Sequence, residues 1–208
     1  SIRECKYRKR EFNRGKSACY NISEWRETIM KRLLVLSHCI LNTASKVAMD
    51  ERELAEEYKM KRSLLKYIAE NDIEMIQLPC PEFMIYGACR WGHVKEQFMH
   101  PHYYEECRKM LAPVLGQLEE YLSYPGRFQV LGIVSVEGSP SCGYHMTCSG
   151  QWGGELSKDM SELREIRDTC KAVEGSGVFM EVLEKELRER SMDISILSME
   201  EAVRLLEQ

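Results

Sequence analysis

Three cysteines stand where a thiol can do chemistry. Cys39 lies in "SHCILN" (37–42), Cys80 in "LPCPE" (78–82) and Cys142 in "EGSPSCG" (137–143). Each follows an apolar run, and each has a turn-forming residue close by: Asn42, Pro81 and Gly143. A free cysteine normally fills a core as a small apolar group, whereas a thiolate in a turn is a nucleophile or a soft-metal ligand. Three thiolates can hold a metal centre and leave one position open. Iron–sulfur clusters are held by cysteine thiolates. Zinc is the rival, with His145 or Cys148 as a fourth ligand, although the paired CxxC knuckles of strong zinc motifs are missing. A third option needs no metal: one thiolate attacks a substrate, with His38 beside Cys39 or His145 near Cys142 as its base.

The elements that must position these residues are legible from periodicity. "LLVLSH" (33–38), "IEMIQLP" (73–79), "FQVLGIVSV" (128–136) and "DISIL" (193–197) read as short, mostly apolar strands of a buried parallel sheet. Residues 51–70 predict a helix with Leu54, Tyr58, Leu65 and Ile68 on one face. Residues 102–123 predict another, with a stripe from Tyr103 and Cys107 to Leu118 and Tyr121 and a kink expected at Pro113. After an irregular, Gly-rich stretch come a helix over 176–189 and a closing helix that opens on a capping box, Ser198 to Glu201. Strands alternating with helices imply right-handed crossovers and one Rossmann-like α/β domain, a parallel sheet with helices on both faces. The carboxyl ends of parallel strands share one edge, where ligands bind in open α/β sheets. Cys39, Cys80 and Cys142 follow the first three strands, so they are expected to converge.

Bulk properties bound the rest. The chain has 208 residues, 44% hydrophobic and 30% charged, with a net charge of −4, which argues against a general nucleic-acid binder. Residues 1–29 carry eight Lys/Arg against four Glu and lack the apolar region of a secretory signal. They read as a basic extension outside a domain spanning 30–208. No apolar run is long enough to cross a membrane. Nine cysteines, an odd number without an export signal, argue for reduced thiols in a cytoplasmic protein rather than a disulfide framework. Cys107 falls on the apolar helix stripe as core filler, Cys89 and Cys148 fall in loops near the expected edge, and Cys5, Cys19 and Cys170 carry no assignment.

At the three cysteine blocks the chain resembles the DUF523 group of thiouracil desulfidases, also called TudS. That family has a cysteine after the first strand, "CPE" after the second and "SPSCG" after the third, and its closing "GxGV" helix, strand and helix resemble "GSGVFMEVLEKEL" and "ISILSMEEA" here. The resemblance covers about 31–208. It implies a [4Fe-4S] cluster on Cys39, Cys80 and Cys142, and removal of sulfur from a thiolated pyrimidine or similar small thio-compound without net redox change. A thiolated RNA base is the one nucleic-acid substrate this leaves open. Glu82, two residues after Cys80, is the nearest carboxyl by sequence and the candidate acid or base. Ser141 joins it as a catalytic candidate and Ser139 is a substrate-binding one, both for their hydroxyl donors. Arg90 resembles the arginine that closes the family's second block and is a further substrate-binding candidate. Trp91, Tyr86 and Trp152 are candidates to stack on a planar base. Three loops depart from the family: "NTASKVAMD" replaces its "YDG" element, "FMIYGACR" its Gly-rich "GGLPTPR", and "YHMTCSGQWGG" its usual third-block tail. The cluster therefore carries over more safely than the substrate.

Overall fold

A computed structural model describes residues 30–50, 52, 54–155 and 159–207. The basic extension expected at 1–29 lies outside the described residues. The fold is α/β. Four parallel strands, β1 (Lys31–Leu36), β2 (Glu74–Gln77), β3 (Phe128–Val134) and β6 (Ile196–Leu197), form one sheet in the order β2-β1-β3-β6. β1 is central, and Leu33 to Leu36 are essentially buried, as befits a strand covered on both faces.

Helices flank the sheet. α1 (His38–Leu41) is a single turn, α2 (Ala55–Glu70) packs with α7 (Met199–Leu206), and α4 (Pro101–Leu122) packs with α6 (Val178–Glu189). α3 (Pro81–Tyr86) is short and follows β2 directly. The stripe on α4 buries Tyr103, Cys107, Leu111, Leu115 and Leu118. The helix runs on through Pro113, which points to solvent. On α2 Leu64 and Ile68 are fully buried, and Leu65 packs half-buried against the same core. The capping box of α7 forms as the sequence predicts: the Glu201 N–H donates to Ser198 Oγ (3.2 Å), and the Ser198 N–H donates to Glu201 Oε2 (2.7 Å). Among the described residues no helix is long and apolar enough to cross a membrane.

One region differs from the sequence reading. The stretch taken as irregular contains a two-stranded antiparallel sheet, β4 (Met146–Ser149) with β5 (Lys171–Glu174), and the helix α5 (Met160–Asp168) between them. The physical reason is plain. These strands have four residues each and bury only Thr147, and α5 buries nothing, so no apolar period marks them.

Candidate functional site

The carboxyl ends of the parallel strands are level. Leu36 faces Gln77 on one side and Val134 on the other. The Ser37 N–H and hydroxyl both donate to the Val134 carbonyl, and the Leu78 N–H donates to that of Leu36. Each chain therefore leaves the sheet at the same height. Cys39, in the turn after β1, Cys80, after β2, and Cys142, after β3, line one cavity of about 470 Å³. All three are free thiols, as is every cysteine among the described residues.

Each thiol is positioned by local backbone chemistry. Cys80 caps α3, its Sγ accepting the Phe83 N–H at 3.4 Å, with Pro81 at the first helical position. Cys142 sits in a turn held by Ser139, whose Oγ accepts the N–H groups of Cys142 (2.9 Å) and Ser141 (3.3 Å). The first turn of α6 closes on this loop. The N–H groups of Gly177, Val178 and Phe179 donate to the carbonyls of Gly143, Pro140 and Ser141, so loop acceptors meet unpaired helix donors. Glycine is needed at two places, one at this contact and one within the turn itself. A Cβ at Gly177 would fall 2.5 Å from the Ser141 carbonyl, and one at Gly143 would fall 2.1 Å from the Met146 carbonyl oxygen.

Burial dominates the electrostatics. It pushes the Cys39 thiol up to about 12, against the pull of the nearby Lys46 ammonium. It raises Cys80 as well, against the Phe83 N–H. Cys142 is raised by burial first and then by charge on Cys39 and Cys80, which marks the three as neighbours. Glu82 is also raised, because burial outweighs Arg90, Lys46 and a hydrogen bond from Ser139. A carboxyl that holds its proton more readily than usual thus stands in the same cavity as three thiols.

The other expected residues fall in distinct places. Arg90 lines the cavity, but its donors are committed: Nε to Glu82 Oε2 (3.4 Å), one terminal nitrogen to the Gly87 carbonyl (3.1 Å) and the other to that of Ser45 (2.7 Å). It holds Glu82 while lining the cavity. Ser139 lines the cavity as well. Ser141 does not. It is fully buried behind Cys142, its hydroxyl 2.9 Å from that of Tyr103 and accepting the Cys142 thiol at 3.8 Å. Tyr103 is itself fixed by parallel stacking on Phe98 at 4.4 Å. Ser141 is therefore a positioning residue for Cys142. His145 turns away to Glu201, 2.9 Å from its Oε2, and neither it nor His38 lines the cavity, whereas Cys148 does.

Two cavity residues were not singled out from sequence. Lys46 is nearly buried and bonded to both carboxylate oxygens of Glu57, one at 2.6 Å. His93 sits between Tyr86 (4.7 Å) and Phe98 (4.9 Å) with its Nδ1 buried and unpartnered, and burial and the Arg90 charge lower its proton affinity. Arg90 and His93 also line a second chamber of about 790 Å³. Its walls include Tyr86, Trp91 and Trp152, the three rings marked in the sequence, and Arg164 and Arg167 of α5.

The chain is 38% identical over 112 residues to an uncharacterized protein of Methanocaldococcus jannaschii, a match that covers 54% of this chain and 67% of that protein. The two belong to one family. No family model matches the chain, and no solved structure does.

Proposed function

We propose that the protein is a [4Fe-4S]-dependent, non-redox desulfidase that replaces the sulfur of a planar thio-compound, a thiolated nucleobase or a similar small molecule, with oxygen from water. The observation that carries this reading is the convergence of Cys39, Cys80 and Cys142, from three strand ends, in one cavity with a buried Glu82–Arg90 pair. The chemistry of the donor set supports the group, although among the described residues no three His, Cys, Asp or Glu side chains are gathered closely enough to hold one metal ion as they stand. Three free thiols face a common space, and burial raises all three, so a cationic centre supplies what keeps them deprotonated. When bound, the cluster supplies a Lewis-acidic iron with soft affinity for the substrate sulfur.

The chain's own residues manage position and protons. Water adds its oxygen to the carbon that bore sulfur, and the sulfur leaves as hydrosulfide, so no electrons are gained or lost overall. Glu82 takes the proton of the attacking water at a carboxylate oxygen and returns it to the departing sulfur or a ring nitrogen. Arg90 keeps that carboxyl aimed, and the Ser139 hydroxyl also bonds to it while accepting the backbone of the Cys142 turn. Tyr86, Trp91 and Trp152 offer faces for a planar ring beyond the cavity.

The cluster-free nucleophile is less well supported. Burial keeps these thiols neutral, and both candidate bases, His38 and His145, lie outside the cavity wall. For zinc, His145 is engaged by Glu201 and does not line the cavity, which leaves Cys148 as the fourth ligand that reading would need.

The test is anaerobic reconstitution of the full chain with iron and sulfide, followed by incubation with 2-thiouracil. The expected result is brown protein with broad visible absorption, about four iron and four sulfide per chain, and release of sulfide. Cys39→Ser, Cys80→Ser and Cys142→Ser should each lose bound iron. Colourless protein with stoichiometric zinc would overturn the reading, as would iron-free protein whose activity dies on alkylation of one cysteine.

A further inference from the structure

A second pair of thiols stands apart from the three at the strand ends. Cys148 lies in β4 and lines the thiol cavity, and Cys170 immediately precedes β5. In the β4–β5 ladder Cys148 faces Ala172, and the next residue on the same face, Gly150, falls opposite Cys170 by continuation of the register. Side chains alternate faces along a strand, so Cys148 and Cys170 share one face, a single diagonal step apart. The Gly175 N–H donates to the carbonyl of His145 directly across from it, so alternation makes Cys148 and Gly150 non-hydrogen-bonded positions, where facing residues come closest.

The approach of Cys170 is unusually close. A Cβ at Gly150 would lie 2.8 Å from Cys170 Cα and 3.0 Å from its Sγ. The sulfur therefore lies over the bare face of Gly150, on the face that Cys148 shares, with its S–H donating to the Ile166 carbonyl of α5 at 3.8 Å. The surrounding backbone is pinned: the Gly150 N–H donates to Glu96 Oε2 (3.1 Å), and the Gln151 N–H donates to Thr169 Oγ1 (2.8 Å) just past the cysteine. Burial and then charge on Cys170 raise the Cys148 thiol, in keeping with the shared face. Both are half-buried and free.

We propose that Cys148 and Cys170 are a redox-active dithiol that closes to a disulfide, separate from the three-cysteine set. A small disulfide is the oxidant. One cysteine thiolate attacks it, breaking its S–S bond and expelling one small thiol; the partner thiolate then attacks the mixed disulfide and expels the second. Two electrons pass to the oxidant, and the two cysteine protons go to the departing thiols. The placement gives this chemistry a consequence. Trp152 and α5, with Arg164 and Arg167, lie between the two cysteines in sequence and form one wall of the second chamber. Oxidation staples the base of that wall and removes the Cys148 thiol from the cavity where the other three stand.

The experiment uses the full chain, without iron, equilibrated in glutathione buffers of rising oxidised fraction, quenched by alkylation and mapped by mass spectrometry without reduction. The expected result is a Cys148–Cys170 cross-linked peptide that appears over a defined potential range and vanishes on dithiothreitol treatment. Cys148→Ser and Cys170→Ser should each abolish it, and Cys89→Ser, which removes an exposed competitor, should leave it intact. Cross-linking of Cys148 to Cys142 or Cys39, or full alkylation of both cysteines throughout the titration, would overturn the proposal. The readout needs no desulfidase activity, so it stands or falls apart from the functional reading.

Discussion

The two sides of the site are built from opposite materials. The thiol side rises from the ends of core strands. Its backbone is bonded to neighbouring strands and to the first turn of α6, Gly143 and Gly177 leave no room for a Cβ, and most of its buried polar groups are paired: Arg90 to Glu82, Lys46 to Glu57, Tyr103 to Ser141. The opposite side, 146–174, is a two-stranded sheet and a helix that buries no residue, and it presents Trp152 and two exposed arginines to the second chamber. Trp91, facing it from the other wall, is 71% exposed. A wall of the first kind holds geometry to the tolerance that covalent chemistry needs. A wall of the second kind can change its side chains at little cost in stability, which is what substrate selection needs.

The contrast can be broken most severely at Glu82. Glu82→Gln keeps volume and most hydrogen bonds but removes the proton carrier. The expected loss in kcat is about 100- to 10,000-fold with iron content unchanged. Steady-state rates beside an iron assay decide it: if iron is lost in parallel, Glu82 belongs to the cluster's support and not to the proton path. The pH profile sharpens the point. Glu82 is raised above its usual value, so in the wild type the rate limb it governs should sit higher than an ordinary glutamate's and disappear in the variant.

How far these features were readable in the sequence follows from what fixes each one. Cys39, Cys80 and Cys142 could be grouped because strand ends in a parallel sheet share an edge, and that rule needs only the order of strands. Glu82 followed because it lies two residues from Cys80. Arg90 is marked by its motif, but the carbonyls of Ser45 and Gly87 that it bonds come from loops whose path no periodicity records. Ser141 was marked by its motif, yet the Tyr103 hydroxyl that draws it behind Cys142 is set by the rotation of α4, visible only in three dimensions. Lys46 and His93 left weaker traces: a lone charge in the otherwise uncharged "ASKVAM", and a histidine between aromatic residues in a loop. The β4–β5 ribbon left none, being held by its own ladder and by Glu96 bonds to Ser149 and Gly150 instead of an apolar face.

On the open side the effects should be smaller and should fall on binding. Trp152→Ala removes one stacking face from the second chamber, and loss of a base–aromatic stack is worth about 1–3 kcal/mol. KM should rise about 10-fold or somewhat more, with kcat and iron content close to those of the parent. Equal falls in kcat and kcat/KM would place Trp152 in the transition state and erase the division between the two walls.

The smallest effect probes the seam between them. His145, at the entry to β4, meets Glu201 at the start of α7, so one carboxylate serves both a helix cap and the second wall. The Ser198 N–H and then His145 hold the Glu201 carboxyl down at about 2. A depressed carboxylate adds stability that is present above its unfolded value, near 4.5, and is lost as pH falls through about 2. Glu201→Gln can still accept the Ser198 N–H but has no charge to titrate. Because Glu201 is about a third exposed, solvent screens the charge, and the expected cost at pH 7 is about 0.5–1 kcal/mol. Urea unfolding at a series of pH values checks it: the gap between parent and variant should close between pH 5 and 2. A gap that persists at the acid end would assign the loss to the hydrogen bond itself, and the seam would then be held by geometry rather than by charge.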